Sequence, residues 1–281
     1  MPNKSGTSYY VTDKDCETAF AQCKSCEFIA NNSTYRAVVE GTYLTIRDTD
    51  DINASHGRIT DMVRNYLNQS YPVVDWNDYT HILSINTGML RWVNVVAHVC
   101  EYIDRTRKIG EAKKMLAWAA DRLTMFEAGS DFVQRFIDEF TIQCDGHREE
   151  VVRMYAIAIL VGLIGHELGH ACLGHMGTPA QKSLSRNNER CADMFASSVA
   201  QSIGNGYAGA IGAVVLDVSF VWLTGKHSAY MTKSVKNDNK NKFLTHPVSP
   251  DRVKAFIESF NTVLVTSPIT AKMLMKLMKA G

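Results

Sequence analysis

Three residues stand out for chemistry: His166, Glu167 and His170, in the run His166-Glu-Leu-Gly-His170. Residues four apart on an α-helix share a face, so both imidazoles can point at one ion. Glu167 beside them can take a proton from a metal-bound water without being a ligand itself. Zinc suits such a set, because it accepts imidazole and carboxylate ligands and keeps one position for water in catalytic sites. With nine histidines in the chain, H-E-x-x-H arises by chance in roughly one or two shuffled sequences per hundred. Its placement at the end of an apolar run over 154–165 adds weight. Two histidines and a glutamate buried on such a helix need a compensating partner, and a metal supplies one.

A third ligand must come from elsewhere. One class of site uses H-E-x-x-H-x-x-G-x-x-H, but here those places hold Leu173 and Met176, while Gly174 and His175 fall one position off. His175 is therefore not a ligand through that motif. It is expected to end the helix, where a partly cationic side chain meets the negative pole. The other common solution takes a glutamate from a following helix. Gly177, Thr178 and Pro179 break the chain, residues 185–188 offer caps, and Glu189-Arg-Cys-Ala-Asp193 follows. Glu189 lies far enough past His170 for a turn and an antiparallel return. Asp193 is one helical turn further on the same face, placed to accept the free ring N–H of a ligating histidine. The same Glu/Asp pair is also a common solvated helix face. Glu149 and Glu150 sit about five turns up the first helix, out of reach of the ion.

These motifs continue with Thr245-His-Pro-Val-Ser-Pro-Asp-Arg252. In that order they resemble the glutamate-type zincins, and among them the peptidases of the Ste24 and HtpX kind. There, H-E-x-x-H is followed by E-x-x-A-D and then by H-P-x-x-x-x-R. His175, five after His170, is also similar to that family's pattern. Those relatives carry clear membrane-spanning helices, and this chain departs from them. A soluble layout with the same three motifs is found in phage-exclusion peptidases of the Lit kind, whose strand-then-helix stretch before the zinc helix is similar to residues 80–104.

The resemblance implies one zinc ion per chain, held by His166, His170 and Glu189, with Asp193 steadying a ligand. It implies a metallopeptidase in which Glu167 is the general base. By the same carry-over, His246 is either the group that stabilises the oxyanion or the entry to a helix, and Arg252 closes a structural salt bridge to the catalytic helices. The implied substrate is a folded host protein, a translation elongation factor being the family expectation, with activity latent until a phage component appears. The competing reading is a non-catalytic, zinc-stabilised binding module with a peptidase-like fold. The intact Glu167 argues against it, since such a module has no use for that residue.

Several elements must position these residues. The 281 residues are 46% hydrophobic, enough for a sizeable core. Residues 13–30 look helical, while 35–39 and 43–47 have the β-branched and aromatic content of strands around Gly41, and 80–86 is a further strand. Helical periodicity covers 89–104 and 111–126. Beyond about 147 the helical signal dominates, over 148–175, 187–203, 207–224, 249–260 and 268–280, with a polar surface loop at 233–242. The expected architecture is α+β: a smaller mixed α/β N-terminal part over 1–105, and a mostly helical, zincin-like half over 106–281 that carries the chemistry.

Thirty basic residues against twenty-nine acidic ones leave a net charge of +1, without the basic excess of a nucleic-acid binder. The apolar run before His166 is too short for a bilayer needing roughly twenty residues. The longer run over 207–225 carries Asp217, read as a core or edge carboxylate, so no membrane span is expected. A polar N-terminus and seven cysteines without framework spacing favour a reducing, cytoplasmic setting. Cys16, Cys23 and Cys26 include a C-x-x-C pair, but with no obvious fourth ligand they read as buried thiols. Cys172 and Cys191 read as packing residues, and so do the aromatic residues at 76, 92, 118, 155 and 222.

Overall fold

A computed structural model describes residues 10–124, 129–142, 145–175 and 182–204. The helices expected over 207–224, 249–260 and 268–280, the loop 233–242, and Asp217, Trp222, His246 and Arg252 lie outside the described residues. Within them the chain is mostly helical with one small mixed sheet, an α+β architecture. It divides into two compact units, each drawing on both sides of residue 105. Among the described residues, one comprises 10–12 and Leu90–Ile159, and the other comprises Asp13–Met89 and 160–204.

The second unit holds the sheet. Strands β1 (Thr42–Arg47), β2 (Ala54–Arg58) and β3 (His81–Asn86) run in the order β1-β3-β2. The central β3 is parallel to β1, with Leu44 opposite Leu83, and antiparallel to β2, with His56 opposite Leu83. Side chains alternate between faces. On one face Tyr43 and Ile82 pack against a cluster of Ile59, Leu67 and Trp76, which helix α4 (Asp61–Ser70) and the 3-10 turn Trp76–Asp78 bring to the sheet. Leu83 and Ile85, both fully buried, occupy the opposite face. Gly88 follows β3 because a Cβ there would run into the Asp50 carbonyl.

Helices α1 (Asp13–Ser25), α2 (Glu27–Ala30) and α3 (Ser33–Glu40) precede the sheet. The strand expected over 35–39 is corrected: these residues are in α3. The Asn32 side chain caps that helix, accepting from the backbone N–H groups of Thr34 and Tyr35 at 3.1 Å each. Tyr35 then packs edge-on against Phe195, 5.2 Å between ring centres. An N-cap and a tertiary aromatic contact outweigh β propensity here. Strand β2, helix α4 and helix α7 (Phe132–Glu139) were not anticipated from the sequence.

In the first unit, most of α5 (Thr87–Thr106), α6 (Ile109–Thr124), α7 and the start of α8 (Gly146–Cys172) build an aromatic core. Trp118 of α6 stacks on Phe132 and meets Phe136 of α7. Trp92 and Tyr155 are fully buried, as core residues should be, whereas Trp118 is only partly covered.

Helix α8 continues into the second unit and is followed there by α9 (Lys182–Ser202). By length and composition alone α8 is apolar enough to cross a membrane, and 61% of its most apolar window is buried. The helix extends well beyond the apolar run over 154–165 at both ends.

Candidate metal centre

The site is made by two helices that touch backbone to backbone. On α8, Gly165 and Gly169 are four apart and face α9. A Cβ at Gly169 would stand 3.0 Å from the Phe195 Cβ and 3.1 Å from the Ala192 Cα; one at Gly165 would stand 3.2 Å from the Ala196 Cα. Two glycines against two alanines bring the helices close enough for short side chains to meet across the gap. Phe195 is gripped from the far side by Phe28 and Tyr35, each 5.2 Å away between ring centres. Ser202 at the end of α9 accepts the Phe28 backbone N–H at 3.1 Å.

The C-terminus of α8 is closed by its backbone. Gly174 takes φ +71°, the His175 N–H donates to the His170 carbonyl at 2.8 Å, and the Gly174 N–H donates to Ala171 at 3.1 Å. That pattern is a Schellman cap. His175 thus ends the helix, as expected, but through its backbone N–H, while burial first and then the His170 charge lower its imidazole pKa.

His166, His170 and Glu189 converge, each offering a ligand atom within 4.8 Å of the others. The Nε2 atoms of His166 and His170 face each other at 3.1 Å. Glu189 presents Oε2 to His166 Nε2 at 3.3 Å and Oε1 to His170 Nε2 at 3.5 Å. A tetrahedral ion with bonds of roughly 2.0–2.1 Å holds its ligand atoms about 3.3–3.4 Å apart. The Nε2–Nε2 contact and the closest approaches of Glu189, through a different oxygen to each imidazole, lie near that edge length, and the group could hold a metal ion. Glu189 is buried, which removes the solvated-face reading of that residue.

Asp193 accepts a hydrogen bond from His166 Nδ1–H at 2.9 Å. The carboxylate cannot donate, so the contact fixes the tautomer and leaves Nε2 for an ion. Glu167 is buried next to His166 and adds negative charge. Burial alone would lower the His166 pKa. The hydrogen bonds to Asp193 and Glu189, with the charges of Asp193 and Glu167, outweigh it and raise the pKa to about 10. His166, His170 and Glu189, with the Asp193 and Glu167 carboxylates beside them, form a group that could hold a metal ion.

The structure thus brings together His166, His170, Glu189, Asp193 and Glu167. Among the described residues, no cysteine belongs to the metal-ligand group. Cys16, Cys23 and Cys26 are buried and free, with the Cys23 Sγ donating to the Val161 carbonyl at 3.9 Å. Burial pushes the Cys16 thiol up to about 12 and those of Cys23 and Cys26 upward as well. Such thiols suit packing rather than redox work. Cys172 donates to the Tyr35 carbonyl at 3.9 Å.

Sequence reasoning passed over Gly165, Gly169 and their alanine partners, although the two i,i+4 pairs of small residues are visible in the sequence. Comparison of the chain with protein-family models, with curated proteins and with solved structures gives no match.

Proposed function

We propose that the chain is a zinc-dependent endopeptidase of the glutamate-type zincin kind, with His166, His170 and Glu189 holding the ion. The observation that supports this reading is the convergence of His166, His170 and Glu189, whose ligand atoms all lie within 4.8 Å of one another. Zinc bound there would polarise a peptide carbonyl and acidify a water. Glu167, one residue after a ligand, takes the proton released as the water's oxygen bonds to the carbonyl carbon. It then hands that proton to the amine that departs when the C–N bond breaks, so acid and amine products balance. Asp193 keeps His166 in the tautomer that leaves Nε2 free. The low-dielectric surroundings strengthen each of these interactions. A folded host protein, such as a translation elongation factor, is the proposed substrate, and a phage-derived activator the proposed trigger.

The test measures bound metal and proteome-wide cleavage in a cell lysate for the wild type and Glu167→Gln. About one zinc per chain is expected in both, with new protein termini generated only by the wild type. Cleavage by the variant would refute the role of Glu167. Absence of metal from the wild type would refute the centre itself.

A further inference from the structure

The two helices that carry the ligand atoms share one neighbour. Helix α3 opens on Asn32, whose side chain accepts from the Tyr35 backbone N–H at 3.1 Å, so Tyr35 is held in the first turn of a capped helix. The Tyr35 carbonyl accepts from the Cys172 Sγ of α8 at 3.9 Å, and Cys172 lies two residues past His170. The Tyr35 ring lies 5.2 Å from that of Phe195 on α9, edge-on at 70°, and Phe195 lies two residues past Asp193. One residue thus touches α8 through its main chain and α9 through its side chain.

These contacts reach the ligands through Phe195. It is buried, and its Cβ is 3.0 Å from where a Cβ on Gly169, the residue before His170, would stand. Ala192, one turn earlier on α9, meets Gly169 as well. Residues three and four apart share a helix face, which puts Glu189 and Asp193 beside Ala192 at this contact. Helix α9 is continuous from Lys182 to Ser202, so it cannot turn about its axis at Phe195 without carrying Glu189 and Asp193 with it. The Phe28 ring closes the far side, 5.2 Å from Phe195 and 5.8 Å from Tyr35. Aromatic pairs prefer particular geometries beyond their area burial, and they restrict the phase of a helix more than aliphatic contacts do. Metal–ligand distances tolerate only ~0.2 Å, so that phase matters to an ion.

Resting on the peptidase reading above for an ion at His166, His170 and Glu189, we propose that Tyr35 is a positioning residue for that centre. By bridging Cys172 and Phe195 it holds α8 and α9 at the separation and phase at which Glu189 meets the two imidazoles. Without the ring the metal-free helices relax, and an ion must draw them back before it is fully bound. Affinity falls although every ligand is intact.

The test uses the full-length protein with cobalt in place of zinc, followed through the visible cobalt bands and by competition with a chelator. Tyr35→Phe keeps the ring; Tyr35→Leu keeps only an apolar side chain. Tyr43→Leu is the control for a general loss of stability, because Tyr43 makes edge-on contacts with Trp76 and Tyr79 on the sheet face of the same unit. Tyr35→Leu should bind cobalt about tenfold more weakly, the worth of one or two ring contacts, with altered bands at saturation. Tyr35→Phe and Tyr43→Leu should keep the wild-type bands and stay within about twofold of its affinity. If Leu does not fold at this position, Tyr35→Met is read in its place.

Wild-type affinity and bands in Tyr35→Leu would overturn the proposal. So would an equal loss in Tyr35→Phe, or in Tyr43→Leu, which would make Tyr35 a general contributor to stability. The titration requires no cleavage. A wild type that binds no cobalt refutes the centre and the proposal with it. Bound cobalt with no effect of Tyr35→Leu removes only the role of Tyr35. A weakened Tyr35→Leu in a protein that cleaves nothing in a lysate upholds that role while the peptidase reading falls.

Discussion

Gly169 offers a way to disturb the metal centre without touching a ligand. Its substitution by alanine places a Cβ 3.0 Å from the Phe195 Cβ, 3.1 Å from the Ala192 Cα and 3.2 Å from the Ala192 carbonyl oxygen. Carbon atoms in contact normally sit about 3.5–4.0 Å apart, so α8 and α9 must give by a few tenths of an ångström. Two of the three obstacles are backbone and cannot rotate aside. Metal–ligand distances tolerate only ~0.2 Å, and His170 and Glu189 lie on the two helices being parted. Overpacking of this kind costs about 1–3 kcal/mol. If the helices relax in the absence of metal and must be drawn together to bind it, that cost falls on affinity, as a loss of roughly tenfold to a hundredfold. If they do not relax, it falls on folding stability instead. Gly162→Ala is the control, because nothing lies within 4 Å of a Cβ there, and alanine in a helix interior gains about 1 kcal/mol over glycine. Competition for zinc with a chromophoric chelator measures the first quantity, and urea unfolding of the metal-free protein measures the second. A Gly169→Ala protein that binds zinc like the wild type and is as stable as Gly162→Ala would show that close helix contact does not set the site.

Two further outcomes follow from the same geometry. Asp193→Asn removes the carboxylate that holds His166 and should weaken zinc binding by about 10–100-fold; Glu189→Gln removes a ligand and should weaken it at least as much, both read by the same chelator competition, with full retention in the latter pointing to another third ligand. His56 gives a pH dependence: its folded pKa is lowered to about 3 from 6.5, so the unfolded chain takes the proton more readily, and stability drops as pH falls below about 6.5 and continues to drop toward about 3. Between pH 7 and pH 5 the metal-free wild type should lose up to about 2 kcal/mol more than His56→Gln in urea unfolding, and equal losses would mean that His56 is not held neutral.

The parts of this molecule legible from sequence are those where one strong local signal acts alone. His166, Glu167 and His170 could be placed because helical spacing fixes which residues share a face. The return to Glu189 and Asp193 could be placed because the sequence after His170 reads as a helix break and the spacing allows another helix, although α8 ends earlier than that reading has it, at the Gly174 cap. Strands β1 and β3 carry enough Ile, Leu and Tyr to declare themselves. Residues 35–39 show the limit: Val38 and Val39 favour a strand, yet the decisive groups are Asn32, a cap outside the segment, and Phe195, more than 150 residues away. Strand β2, Ala-Ser-His-Gly-Arg, has almost no intrinsic β preference. Its pairing with β3 makes it a strand, and pairing is not written in the five residues themselves.

Helix α8 shows why these levels must be read together. Its buried residues, from Val152 through Tyr155, Ile159, Val161 and Ile164 to Leu168, surround the axis instead of forming one stripe, as expected of a helix covered on all sides. Such a sequence passes a membrane-span criterion, but apolarity has a second use here. The two imidazoles and Glu167 sit in its last turns, and the carboxylates of Glu189 and Asp193 meet them from α9. In water those charges would be screened and little would force a cation among them. Buried against an apolar helix, they interact more strongly and cannot remain uncompensated. The apolar residues therefore do more than fill a core: they set a spacing motif in low-dielectric surroundings where a metal ion could be held, and Gly165 and Gly169 let the second helix approach closely enough to complete the donor group.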